Sequence, residues 1–217
     1  MGVTMSWYSV LKSLLAVCVF TNLSIRSVES YRCINKGCFN GRCSSNTKMC
    51  ESSHGCFSQL QEFRISTTIP GSELQKKDCS KDVCTNLAFS ATLGSNQTFR
   101  YNHRCCYTEQ CNKEPLEASL TSSQPNGVEC PACYSEGGVC NPVPLKCTGV
   151  ETKCVEVTGR AWSNKIHAMG CATETACNVN MIVLETTYIS TSCTNGSPPL
   201  RSILSLLSGL FLMKALL

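Results

Sequence analysis

Hydrophobic and polar positions alternate along several stretches of the chain, as they do in a half-buried β-strand. In residues 87–101 apolar side chains take alternate positions: Leu87, Phe89, Ala91, Leu93, Phe99 and Tyr101. The triplet Gly94-Ser95-Asn96 interrupts this alternation with residues that favour a turn. The stretch therefore predicts a β-hairpin.

Two further stretches predict hairpins. Residues 179–183 alternate in the same way, and residues 154–171 contain two short runs on either side of Gly159-Arg160, where we expect the turn. No segment between the two chain ends shows a convincing amphipathic helix pattern. The patterning therefore predicts an all-β fold.

The first 30 residues have the organisation of a secretory signal peptide. Lys12 precedes the apolar run 14–20, and Val28-Glu29-Ser30 supplies the −3 and −1 residues of a cleavage site. A membrane anchor is the alternative, but the run is shorter than the ~20 residues that a transmembrane helix needs. We predict that residues 1–30 are removed.

The C-terminal end predicts a second processing event. Residues 203–217 are mostly apolar, and the small residues Asn195-Gly196-Ser197 lie upstream of them. Together they are typical of a glycosylphosphatidylinositol (GPI) signal, with Asn195 as the lipid attachment site and residues 196–217 removed as a propeptide. A short transmembrane helix and a disordered end of a secreted protein are the alternatives.

Cysteine is unusually frequent, with 19 residues in a chain of 217. Removal of the signal peptide leaves eighteen, an even number, which in an oxidising compartment favours complete pairing. Ten lie in residues 31–113, named module one here, and eight lie in residues 130–195, named module two. Both modules repeat one order of short and long cysteine gaps. Residues 114–129 have the composition of a linker.

The charge of the chain excludes one class of partner. The formal net charge is +4, but the two processed ends hold four basic residues and one acidic residue, so the remainder is +1. We therefore expect no nucleic-acid partner. Lys76, Lys77 and Lys81 form a basic cluster that either steers an acidic partner or is a solvated face.

Three cysteine patterns raise chemical alternatives. Neighbouring Cys105 and Cys106 cannot pair with each other without strain, so they have separate partners, in disulfides or in a metal cluster. Cys130-Pro-Ala-Cys133 has redox-motif spacing, but the turn-rich residues 134–138 make a poor helix start. A single C-x2-C pair in an oxidising compartment is poor support for zinc.

Catalytic and modification motifs are few. His54, His103 and His167 lie in no metal or nucleophile motif, so we expect no enzyme and no cofactor. The sequon Asn96-Gln97-Thr98 falls at the predicted hairpin turn, and we expect Asn96 to carry a glycan.

The clustered cysteines that end in Cys105-Cys106-x4-Cys111-Asn112 resemble those of the Ly-6/uPAR three-finger family. The resemblance implies two tandem three-finger domains, in which Asn112 braces the disulfides near the end of module one. It implies these pairs: Cys33–Cys56, Cys38–Cys43, Cys50–Cys79, Cys84–Cys105, Cys106–Cys111, Cys130–Cys154, Cys133–Cys140, Cys147–Cys171 and Cys177–Cys193.

Module one departs from the family pattern at its start. Four residues separate Cys33 from Cys38, where the family has two, and the short Cys38–Cys43 spacing leaves the first finger nearly absent. Module two lacks the final small-loop disulfide.

The resemblance extends to two-domain GPI-anchored members of the family. It implies a glycoprotein on the extracellular face of the plasma membrane that binds an extracellular protein through its fingers. The alternative is a secreted inhibitor similar to the gamma-type phospholipase A2 inhibitors.

Overall fold

The structure, a computed structural model, describes residues 7, 12–15, 30–65, 71–116, 122–161 and 164–196. The chain divides into two compact units, Met1–Ser30 and Tyr31–Leu217. Most of the predicted signal peptide and the apolar tail 203–217 lie outside the described residues. In the part that is described, no helix has both the length and the hydropathy to cross a bilayer.

The described residues of the second unit form β-strands joined by turns and one short 3₁₀ helix (Glu174–Ala176). In chain order the strands are β1 (Tyr31–Phe39), β2 (Arg42–Cys43), β3 (Lys48–Ser52), β4 (Cys56–Arg64), β5 (Ser72–Cys79), β6 (Leu87–Leu93), β7 (Gln97–Cys106), β8 (Pro125–Glu136), β9 (Val143–Thr148), β10 (Lys153–Ala161), β11 (Asn164–Ala172), β12 (Asn180–Val183) and β13 (Thr187–Asn195). The all-β, disulfide-rich fold class predicted from the sequence is confirmed.

The strands of both modules join in one antiparallel sheet. Its order is β12-β13-β10-β11-β6-β7-β4-β5-β1-β2, with β3 paired to β1 and β8 paired to β11 and β9. The seam between the modules is the β6–β11 ladder, where Ala91, Thr92 and Leu93 face Ala172, Cys171 and Gly170. The modules therefore share backbone hydrogen bonds as well as side-chain contacts.

Gly170 permits this seam. A Cβ atom added there would lie 2.0 Å from the carbonyl oxygen of Thr92, so any larger residue would push the two strands apart. Strand β8 begins at Pro125, inside the segment 114–129 that has linker composition, because its first residues pair with the end of β9.

The hairpin predicted for residues 87–101 is β6 and β7. Phe89 faces Tyr101 and Ala91 faces Phe99, and all four side chains are at most 7% exposed. They form the main core cluster together with apolar residues of module two such as Val155. The alternation thus places one face of the hairpin in a core that the two modules share.

The prediction of a turn at Gly159-Arg160 is wrong. Both residues lie within β10, where Gly159 pairs with Ile166; β10 ends at Ala161 and β11 begins at Asn164. A Cβ at Gly159 would lie 2.7 Å from the carbonyl oxygen of Tyr188 on neighbouring β13. The glycine therefore allows close strand approach and does not form a turn.

The eighteen cysteines of residues 31–195 form nine disulfides. The structure joins Cys33–Cys56, Cys38–Cys43, Cys50–Cys79, Cys84–Cys105, Cys106–Cys111, Cys130–Cys154, Cys133–Cys140, Cys147–Cys171 and Cys177–Cys193. These are the pairs that the family resemblance implies. Cys105 and Cys106 thus close two different loops, one of them the third finger of module one.

Asn112 lies in the middle of the disulfide cluster and is 2% exposed. Its Oδ1 accepts a hydrogen bond from Ile34 N at 2.9 Å, and its Nδ2 donates to Ile34 O at 2.9 Å and Phe57 O at 3.2 Å. The amide therefore links β1 and β4 to the end of module one, because an asparagine side chain offers both a donor and an acceptor.

Candidate binding cleft between the modules

A cleft of about 310 Å³ is lined by residues of both modules. Strands β4–β7 of module one form one wall, and β8 and β10–β13 of module two form the other. Most of the lining side chains are apolar. It reaches solvent beside Ile65, which is 44% exposed. Small-ligand and anchor-residue sites commonly combine a concave apolar wall with a few polar groups.

The module-one wall is aromatic because β6 and β7 place alternate side chains on the same face. Phe89 stacks on Tyr101 with 5.0 Å between ring centroids, and Phe89 and Phe99 are 5.8 Å apart. Burial raises the pKa of Tyr101, and a hydrogen bond from Gln59 Nε2 to its hydroxyl opposes that shift. The wall is a rigid, neutral surface.

The β12–β13 hairpin closes the far side of the cleft. Leu184 N donates a hydrogen bond to Gln61 Oε1 at 2.7 Å, which joins the last hairpin of module two to β4 of module one. Leu184 and Glu185 have φ values of +47° and +69°. Bulky or charged residues rarely take such values, and strained positions of this kind cluster at functional sites.

One rim of the cleft carries a polar pair. The Tyr134 ring lies 5.8 Å from the Phe63 ring, and its hydroxyl donates to Glu136 Oε1 at 2.6 Å. Burial raises the pKa of Tyr134, and the hydrogen bond and charge of Glu136 add to the shift. Among the described lining residues Glu136 is the only charged one. A ligand that combines an apolar group with a hydrogen-bond donor or a cation matches this rim.

The two predicted modification sites lie away from the cleft lining. Asn96 is exposed in the β6–β7 turn, which is held against module two by a hydrogen bond from Gly94 N to Met169 O at 3.0 Å. Asn195 is exposed at the end of β13, where its Oδ1 accepts a hydrogen bond from Lys153 Nζ at 3.0 Å.

The three histidines do not come together. His103 stacks on Phe57 at 4.8 Å, beside the Cys84–Cys105 disulfide, and burial lowers its pKa. His167 lies 2.8 Å from a Glu156 carboxylate oxygen, and His54 is exposed in another turn. The three histidines therefore lie in three separate places and form no common site in the described part of the chain.

The basic cluster of module one is partly engaged within the fold. Lys76 Nζ lies 3.7 Å from Asp78 Oδ2, and Lys77 Nζ donates to the carbonyl oxygens of Lys113 and Glu114. Burial lowers the pKa of Lys77, Glu114 raises it and Lys36 lowers it further. Of the three lysines, Lys76 and Lys81 are exposed.

The disulfides bear on the redox and zinc interpretations of the cysteine patterns. Cys130 and Cys133 lie on strand β8 and are bonded to Cys154 and Cys140, so the C-x2-C pair does not form its own disulfide. Sulfur atoms also cluster in three groups, but their cysteines are all in disulfides. A disulfide sulfur is not the thiolate that redox catalysis and zinc binding require.

Sequence reasoning did not identify the cleft. The alternation marked Phe89 and Phe99 as buried but could not show that module two supplies the opposite wall. The contact between Gln61 and Leu184 spans 123 residues and has no local signal. The unusual backbone of Leu184-Glu185 also has no local sequence signal, since neither leucine nor glutamate is a typical turn residue.

The fold and cleft define a class: a disulfide-braced protein of two three-finger modules with an apolar cleft at their junction. No protein-family profile matches the chain. Protein RoBo-1 of Rattus norvegicus is 58% identical over 202 residues, which cover 91% of this chain and 84% of that protein. The chain belongs to the Ly-6/uPAR family.

More distant relatives have the same two-domain organisation. Ly6/PLAUR domain-containing protein 8 of Mus musculus is 27% identical over 192 residues, covering 81% of this chain and 72% of the relative. Phospholipase A2 inhibitor NAI of Notechis ater is 27% identical over 200 residues, covering 87% and 98%. The suspected family is therefore confirmed, and its members indicate a protein that binds an extracellular partner.

Proposed function

We propose that the chain is a cell-surface glycoprotein whose inter-module cleft receives an apolar anchor of an extracellular protein. The observation that carries this proposal is the cleft itself, with its aromatic wall and its single acidic group, Glu136. The partner's anchor is an apolar side chain next to a basic residue or another hydrogen-bond donor. Such an anchor dominates affinity when it is fully desolvated in a preformed pocket.

The disulfide frame supports this role. Nine disulfides and a shared sheet hold the cleft walls in place before binding, so little conformational entropy is lost when a partner docks. The same rigid frame tolerates variation in the residues at its finger tips. Binding specificity therefore resides in lining residues such as Ile65 and Tyr134.

The test is site-specific photo-crosslinking on intact cells that express the full chain. A photoreactive residue replaces Ile65 at the cleft, and the matched control replaces Val83, which is 83% exposed and does not line the cleft. We expect an adduct with an extracellular protein from position 65 alone. Adducts from both positions, or from neither, would contradict the cleft as the binding site.

Anchoring through a GPI lipid on Asn195 completes the proposal. It is supported by the small triplet and apolar tail of the sequence and by the exposure of Asn195 at the end of β13. The cleft residues of β13 run from Thr187 to Thr191, eight to four residues before Asn195, which is ~14–27 Å of extended strand. An anchor at Asn195 would leave this length of strand between the lipid and the cleft.

Treatment of intact cells with phosphatidylinositol-specific phospholipase C tests the anchor. Shedding of the protein into the medium supports it, and retention on the cells favours a membrane span. Mass spectrometry of the C-terminal peptide then identifies the modified residue. A lipid remnant on any residue other than Asn195 would reject that site while leaving the anchor in place.

A secreted inhibitor of phospholipase A2 is the second candidate, because the gamma-type inhibitors among the relatives span most of this chain. Purified protein added to a secreted phospholipase A2 would lower the rate of lipid hydrolysis. Ile65→Glu would relieve the inhibition if the cleft is responsible, and Val83→Glu would not. Unchanged hydrolysis with the unmodified protein would rule out this candidate for that enzyme.

A further inference from the structure

A second pocket, named the polar pocket here, lies at the junction of the modules and is more polar than the cleft. Its volume is about 240 Å³, roughly the liquid volume of eight water molecules, since each takes about 30 Å³. One wall consists of side chains of the β6–β7 hairpin: Ser90, Thr92, Thr98 and Arg100. These alternate with the core residues of the same strands and therefore lie on the opposite face of the sheet.

The other wall belongs to the start of the β8 region and to the turn after β9. It includes Ser123, Thr148, Val150 and Glu151. The turn is held in place by Asn126 Nδ2, which donates to the carbonyl oxygens of Gly149 and Glu151 at 3.0 Å each. The pocket is therefore built from ordered backbone, and serine and threonine side chains contribute to both of its walls.

Glu151 is the unusual member of this pocket, because its carboxylate is only 4% exposed. Ser90 Oγ donates to its Oε1 at 2.8 Å, whereas the buried Oε2 has no hydrogen-bond partner of good geometry among the described residues. Burial raises its pKa, against hydrogen bonds from Ser90 and Thr92 and the charge of Arg100. A buried carboxylate oxygen of this kind calls for a donor, since native structures rarely leave such groups unpaired.

The predicted glycosylation site is close to this pocket. Thr98, the hydroxyl residue of the sequon, lines the pocket, and Asn96 is two residues before it, at the end of the β6–β7 turn. Asn96 is exposed, so a glycan can be attached there. A tethered sugar has a high effective concentration at a neighbouring pocket and needs little intrinsic affinity to occupy it.

We infer that a sugar residue of an N-linked glycan on Asn96 occupies the polar pocket and, after a small rotation of the Glu151 side chain, donates a hydroxyl hydrogen bond to its carboxylate. The pocket has room for one sugar ring, and its serine and threonine hydroxyls and Arg100 can pair with ring hydroxyls and the acetamido group. The sugar thereby bridges module one and module two on the face opposite the cleft. This inference rests on the proposed glycosylation of Asn96.

The first measurement is glycan occupancy at Asn96, determined by mass spectrometry on the full chain from cells that glycosylate. An unoccupied Asn96 overturns both the glycosylation proposal and this inference. If Asn96 is occupied, the next measurement is the thermal unfolding of the parent protein and of Asn96→Gln. Each is combined with Val150→Phe, which places a ring at the pocket rim, or with the control Val139→Phe, at another exposed valine that lies outside the pocket.

If the sugar occupies the pocket, loss of the glycan lowers the melting temperature by about 2–4 °C in the parent and in Val139→Phe. The loss is absent in Val150→Phe, where the pocket is already obstructed. Equal losses in all three backgrounds, or no loss in the parent, would overturn the inference while glycosylation stands.

A relocated glycan supplies an independent control. Glu185→Asn creates a sequon with Thr186 and Thr187 at another hairpin turn, and asparagine tolerates the positive φ there. Added to Asn96→Gln, it should not restore the melting temperature. On the folded protein, peptide:N-glycanase should release the Asn96 glycan much more slowly than the relocated one. Equal release rates would show that the Asn96 glycan is free in solvent.

Discussion

Replacement of Gln61 by leucine is expected to open the cleft at the β12–β13 hairpin. Gln61 is 2% exposed, and its Oε1 is the acceptor for Leu184 N at 2.7 Å. Leucine keeps the size of the side chain but removes the acceptor, which leaves a partly buried N–H without a partner. That costs about 1–3 kcal/mol, equivalent to a roughly 5–150-fold larger population of the open hairpin.

Amide hydrogen exchange measures this population directly, because the Leu184 amide exchanges when the hairpin leaves β4. We expect faster exchange at Leu184 by that factor, with the β6–β7 amides unchanged. The matched control is Gln59→Leu, on the same face of β4, which removes a hydrogen bond to the Tyr101 hydroxyl and does not touch Leu184. Unchanged exchange at Leu184 in Gln61→Leu, or an equal increase in the control, would refute the reasoning.

Three further predictions concern stability, each measured by denaturant unfolding with the disulfides intact. Asn112→Ala should lower the free energy of unfolding by about 2–4 kcal/mol because three buried hydrogen bonds are lost. The control is Asn46→Ala at an exposed position, and a loss of the same size there would contradict this cause. Gly170→Ala should lower the free energy of unfolding by about 1–3 kcal/mol or more, because the added Cβ clashes with Thr92 O. Gly37→Ala, with no atom within 4 Å of its added Cβ, should be nearly neutral. Equal effects of the two substitutions would contradict close packing at the β6–β11 seam. Burial raises the pKa of Glu151 above its ordinary 4.5, so the parent loses stability as pH rises above 4.5 and the buried carboxyl must ionise. Glu151→Gln has no such group and should therefore gain stability relative to the parent over the same pH range. A difference between the two proteins that does not change with pH would contradict this prediction.

Local patterns of the sequence were sufficient for the hairpins and for the disulfide-rich class. The alternation in residues 87–101 predicted β6, β7 and their turn, because a strand that is buried on one face requires a period of two. Cysteine spacing divided the chain into two modules, and the resemblance carried by Cys105-Cys106 and Asn112 implied the nine pairs. The failure at Gly159 arose because glycine serves both turns and close strand contacts, and sequence alone does not distinguish them.

The relation between the modules was decided only by the tertiary structure. The β6–β11 seam, the cleft and the polar pocket each depend on residues that are far apart in the chain, as Gln61 and Leu184 are. The burial of Glu151 depends on Ser90, 61 residues earlier, and a glutamate in a turn shows no local sign of it. Periodicity and cysteine spacing reflect the local conformation of each segment. A site between modules depends on which surfaces pack together, and that is a property of the tertiary fold.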